Sequence, residues 1–107
     1  MPKKLQQNRP VPTPVSQRLT MWGRAIRTQR VLRCVPADHL CARMDISDTT
    51  LRHIERGDPG VNVTAYLTAL RVMGILDTAV PLIDPAYWNA GPASRARQLQ
   101  DDEDGYF

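Results

Sequence analysis

Few side chains in this sequence have the type and spacing that chemistry requires, and their placement excludes more than it permits. His39 and His53 stand outside any cluster of carboxylates or thiolates at metal-ligand spacing, so no metal site is expected. Cys34 and Cys41 lie seven apart across an expected turn and read as small core-filling side chains, not as a redox pair. No nucleophile is paired with a base and no glycine-rich run could cradle a phosphate, so neither enzymatic catalysis nor a cofactor is expected. What remains is ionic and hydrogen-bonding chemistry. Asp48, Thr49, Thr50, Arg52 and His53 crowd into one short stretch. Together they offer a carboxylate acceptor, hydroxyls and an imidazole that can donate or accept, a guanidinium donor and two methyl groups. That mixture suits recognition of a polar surface better than transformation of a substrate.

The charge pattern says which surface. The 107 residues carry a formal net charge of only +3. Residues 1–35 nevertheless hold eight bases (Lys3, Lys4, Arg9, Arg18, Arg24, Arg27, Arg30 and Arg33) and no acid. Residues 36–57 carry −1 and residues 58–107 carry −4, with Asp101, Asp102, Glu103 and Asp104 consecutive. A basic third on a small protein points to a polyanionic partner, although the same charges also suit a merely solvated face. The length fits one domain with tails and is too short for a large enzyme with a deep cleft. No apolar run approaches the ~20 residues of a membrane span, and the first residues lack the apolar core of a secretory signal. With only two cysteines, a reduced, cytoplasmic chain is expected, nucleoid-associated if the polyanion is DNA.

Positioning these residues requires helices. Residues 1–16, basic and broken by Pro2, Pro10, Pro12 and Pro14, read as a flexible arm. Residues 17–83 carry the helical patterning, and residues 84–107 read as an acidic tail, unstructured in isolation. A first helix is expected from Gln17 to Arg33, with Leu19, Trp22 and Ile26 on one side. A second covers Ala37 to Met44, with Pro36 in its first turn and Leu40, Cys41 and Met44 as its stripe. A third covers Asp48 to Arg56, capped by Ser47, stopped by Gly57, with Leu51 and Ile54 inward. A fourth runs from Val63 to Met73 between Asn62 and Gly74, burying Tyr66, Leu67, Leu70 and Met73. A fifth is expected from Thr78 to Ile83, capped by Asp77, with Pro81 in its first turn. No segment alternates with period two, so the fold class is all-α.

The second and third helices, joined at Asp45-Ile46-Ser47, form a tight helix-turn-helix pair. Trp22 to Gly57 resembles, without a gap, the helix-turn-helix of the Cro/C1-type (Xre) regulators. The matching residues are Gly23, Ile26, Leu40, Cys41, Arg43, Met44, Ile46, Ser47, Thr50, Leu51 and the run Ile54 to Gly57. The continuation IERGDPGVNV…ALRVMGIL further resembles HipB-like antitoxins. The resemblance implies a five-helix lambda-repressor-like domain whose third helix enters the major groove. It implies base contacts at Asp48, Thr49 and His53, and phosphate contacts at Arg52, Arg56 and the start of the second helix, Ala37. Thr50 joins the base-reading group because it is expected to be exposed near the helix start. Physically, threonine methyls meet thymine methyls, aspartate accepts from cytosine N4, and histidine can do either on a base edge. The resemblance also implies a semi-buried Arg30–Glu55 ion pair bracing the first helix on the third.

The sequence departs from the family at Pro36-Ala37, at Cys34 in place of a glycine, at Gln29 in place of an apolar residue, and at Asp58-Pro59-Gly60, which lacks the usual bases. Lys3, Lys4, Arg9, Arg24 and Arg27 are then expected to supply the missing grip on phosphates. The implied function is sequence-specific repression from a palindromic operator in double-stranded DNA by a homodimer. The finer resemblance implies an antitoxin that autoregulates the operon of a HipA-like kinase toxin. Leu76, Val80, Leu82 and Ile83 are the expected dimer surface. Trp88, Tyr106 and Phe107 are candidate anchors for a protein partner; Trp88 packing on its own core is the alternative. Two other readings stay open: a stand-alone or phage-type repressor without a toxin, and an interaction adaptor that no longer binds DNA, which Asp48 and Ala37 keep alive.

Overall fold

Proline opens the first helix of this chain. The computed structural model describes residues 10–89 and 91. Helix α1 spans Thr13–Leu32 with Pro14 in its first turn, where a missing N–H leaves no helical hydrogen bond unmade. It therefore begins before the expected Gln17, and Thr13 to Ser16, read as part of the arm, are helical. Arg18 Nη1 donates to the Pro14 carbonyl at 3.0 Å across that added turn. Then follow α2 (Ala37–Met44), α3 (Asp48–Arg56), α4 (Val63–Val72), the short α5 (Leu76–Ala79) and one 3-10 turn (Pro85–Tyr87). Among the described residues there is no strand, so the all-α expectation holds.

Helices α1 to α4 end alike. Each is followed by a residue at positive φ: Cys34 (56°), Asp45 (55°), Gly57 (76°) and Gly74 (76°). At each, two backbone N–H groups fold back onto the last turn, as Gly57 to Ile54 and Asp58 to His53 do after α3, both at 3.0 Å. This pairing satisfies carbonyls that a helix end would otherwise leave bare. It also reverses the chain within a few residues, which keeps the helices short and adjacent. Two starts are capped by side chains, Ser47 accepting from Thr50 N at 3.0 Å and Asn62 from Ala65 N at 2.8 Å. Pro36 sits outside α2 at its N-cap, not in the first turn, because its ψ of 149° is extended.

Ile26, Leu40, Cys41, Leu51, Ile54, Tyr66, Ala69, Leu70 and Met73 form the core. Trp22 lies against Tyr66 with ring centroids 5.8 Å apart, tilted by 56°. Leu19, Met44 and Leu67 pack at its edge, half-buried. Ala69 was missed in the sequence; it is buried because α4 is covered on more of its circumference than an apolar stripe of large residues indicates. Cys34 is exposed, correcting its reading as core, because the turn after α1 carries it outward; Cys41 alone is buried.

The fifth helix is shifted and shortened. It covers Leu76–Ala79, with Asp77 inside its first turn, and Val80 leaves helical geometry at φ −138° and ψ 76°. Pro81 is the cause, because its ring disfavours the helical region for the residue before it. The Val80–Asp84 segment is then irregular and ends in the 3-10 turn, where the Asp84 side chain accepts from Ala86 N at 2.9 Å.

Candidate nucleic-acid interface

The α2–α3 pair owes its geometry to three neighbouring features. Asp45 takes the left-handed turn, Cys41 Sγ reaches the Ser47 carbonyl at 3.6 Å, and Ser47 caps α3. Leu51 and Ile54 bind the inner face of α3 to the core. The outer face is thereby fixed: Asp48, Thr49, Arg52 and Arg56 are exposed and Thr50 and His53 half-buried. No other described element covers this row.

Within the row the side chains are partly paired. Asp48 Oδ2 accepts from Arg52 Nη2 at 2.9 Å, one helical turn on. This pairing tempers the repulsion an isolated carboxylate would feel from phosphates. Thr50 is turned inward: its Oγ1 is 2.9 Å from Ser47 Oγ, which ties its hydroxyl to the helix cap and leaves Thr49 as the outward threonine. His53 Nδ1 is 2.7 Å from Asp58 Oδ2. Asp58 is the partner of His53 that the sequence did not reveal, its loop standing out there only for the bases it lacks. The available signal was an acid just past a glycine helix stop, one turn beyond a histidine. Its Oδ1 accepts from Gly60 N at 2.7 Å, and its carbonyl accepts from Tyr66 Oη at 2.7 Å. The Gly60 N–H and then the His53 ring hold the Asp58 carboxyl below the usual carboxylate range. Burial pushes the Tyr66 phenol up to about 12 and raises the Cys41 thiol.

Behind the row, α1 and α3 are locked together. Arg30 Nε and Nη2 donate to the two Glu55 oxygens at 2.7 and 3.2 Å, and Nη1 reaches the Val35 carbonyl at 3.2 Å. The pair is largely buried, at 13% and 8% side-chain exposure, and the hydrogen bond to Glu55 raises the Arg30 pKa. The expected bracing pair is therefore present as geometry. Arg27, expected at phosphates, also stands 3.7 Å from Glu55 but is mostly exposed; Arg24 is exposed on the same helix. Ala37 is half-buried at the start of α2, where no side chain caps the helix.

The other expected contact groups divide. Leu76 and Val80 pack half-buried against the protein's own core, whereas Leu82 and Ile83 are 98% and 66% exposed. Trp88 is exposed, its Nε1 donating to the Ile83 carbonyl at 3.0 Å, and Tyr87 is exposed beside it. Lys3, Lys4, Arg9, the Asp101–Asp104 run, Tyr106 and Phe107 lie outside the described residues. Among the described residues no group of acids, histidines and cysteines could hold a metal ion, and no helix is long and apolar enough to cross a membrane. No family model, no curated protein and no solved structure matches this chain.

Proposed function

We propose that this protein is a sequence-specific DNA-binding repressor with a lambda-repressor-like helix-turn-helix, in which α3 lies in the major groove. The observation that carries the reading is the uncovered outer face of α3, where Asp48, Thr49, Arg52 and His53 stand together beside the capped turn. Thr49 and His53 read bases, with Asp48 accepting from cytosine N4 when Arg52 does not occupy it. Arg24, Arg27, Arg52 and Arg56 hold phosphates, Lys3 and Lys4 add to that grip, and the uncapped start of α2 at Ala37 offers backbone N–H groups. Two copies on a palindrome place their α3 helices ~34 Å apart. A gel shift on the chain's own upstream region, run at two salt concentrations, tests the reading. A selective shift is expected; uniform, non-selective binding or none would remove it. His53→Ala is expected to reduce discrimination among sites, and Lys3→Ala with Lys4→Ala to weaken all DNA alike.

The exposed Leu82 and Ile83 are the surface through which two copies pair, and the exposed Tyr87 and Trp88 favour a second protein partner. We infer that the chain serves as an antitoxin whose HipA-like kinase partner is held through this region and the acidic tail. Co-purification with and without residues 84–107 tests this, and unchanged capture of the kinase by the shortened chain would remove the tail from the account.

A further inference from the structure

His53 has two ring nitrogens, and the fold uses only one. Nδ1 faces Asp58 Oδ2 at 2.7 Å. Nε2 has no partner among the described residues, yet no buried side-chain nitrogen or oxygen there lacks one, so Nε2 is open to solvent. Arg56 Nη2 also approaches Nδ1, at 3.4 Å. The two neighbours demand opposite tautomers: a guanidinium only donates and needs a bare Nδ1, whereas an ionised carboxylate only accepts and needs Nδ1–H. The shorter, charge-assisted contact prevails, and the Gly60 N–H on Oδ1 holds the carboxylate in place.

We propose that Asp58 fixes His53 as the Nδ1–H tautomer, so that Nε2 is a hydrogen-bond acceptor that selects a base bearing an amino group, cytosine through N4 or adenine through N6. This rests on the DNA-binding reading and deepens it, because it assigns the chemistry of one contacted base. Asp58 is a positioning residue: it acts on the base through His53. Asp58→Asn is the informative change. The amide oxygen can still accept from Gly60 N, while the amide NH2 now donates towards Nδ1 and drives the proton to Nε2. The exposed nitrogen then seeks guanine O6 or thymine O4.

The full chain is examined in two ways. Long-range proton–nitrogen correlation spectra are expected to show Nδ1–H for His53 in the wild type and Nε2–H in D58N; Nε2–H in the wild type would overturn the proposal. Selection from duplexes randomised across a half-site is expected to show about tenfold preference for cytosine or adenine at one position. That preference should vanish in H53A and move to guanine or thymine in D58N. If the wild type selects a sequence and D58N selects the same one, the Asp58 inference fails and the DNA reading stands. If the wild type selects nothing, the DNA reading fails and takes the base assignment with it.

Discussion

Cys34 and Tyr66 show how single residues here are set against their surroundings. Cys34 closes α1 at φ 56°, where its Cβ is crowded and a glycine's absence of one would not be. Cys34→Gly relieves that strain and loses a little to the freer unfolded chain, for a net gain of about 0.5 kcal/mol in urea denaturation. A loss instead would mean that the exposed thiol makes a contact of its own. Tyr66 carries the opposite lesson. Its phenol donates to the Asp58 carbonyl and is pushed up from 10 to about 12. Between those values the native state keeps a proton that the unfolded chain has lost, so Tyr66 contributes stability that is whole below pH 10 and falls as pH rises. Tyr66→Phe is expected to cost about 1 kcal/mol near neutrality. Its disadvantage should shrink with rising pH, read as converging urea midpoints from about pH 9 to about pH 11.

At the scale of elements, the approach of α1 to α3 decides how the candidate recognition helix is aimed. Gly23 permits it: a Cβ there would lie 2.5 Å from the Ile54 carbonyl oxygen and 2.8 Å from that of Glu55, both backbone atoms. Gly23→Ala must push the helices apart, and we expect a loss of about 2–3 kcal/mol with weaker DNA discrimination, measured by thermal melting and gel shift. Glu55→Gln tests the other half of the joint. It leaves Arg30 largely buried without its counter-charge, for an expected loss of about 3 kcal/mol, whereas replacing both residues by apolar ones should cost less. If the single and double changes cost the same, the pair is not acting as a unit. These elements also show what the sequence could convey. The limits of α2 and α3 were legible because their signals are local: Ser47 at one end, Asp45 and Gly57 at the others. The limits of α1 and α5 were not, because proline has two meanings. Pro14 falls where a helix tolerates it, and Pro81 acts on Val80, one residue earlier than its own position. The His53–Asp58–Gly60 bracket was hidden for a different reason. It depends on the direction in which the chain leaves α3, a tertiary fact that spacing alone does not encode.

On the whole molecule, two surfaces of different physical character set two independent expectations. Helices α1 and α3 carry Arg24, Arg27, Arg52 and Arg56, all exposed. Each guanidinium that neutralises a phosphate releases condensed counterions, so log K should fall with log salt at a slope near −0.9 per contact. Arg24→Ala should weaken binding to every duplex and reduce that slope by about one, with sequence preference unchanged. Arg24 is the informative choice because Arg27 already shares Glu55, so removing Arg27 would also disturb the joint. The proposed dimer contact is of the opposite class, at the exposed Leu82 and Ile83. Apolar association there is insensitive to moderate salt, and Leu82→Asp with Ile83→Asp should shift sedimentation from dimer to monomer while leaving the melting temperature of the monomer nearly intact. In that monomer the salt slope should fall to about half, because only one set of arginines reaches the duplex at a time. A slope unchanged by the apolar substitutions would mean that the two copies meet elsewhere, or that one copy alone makes the whole contact.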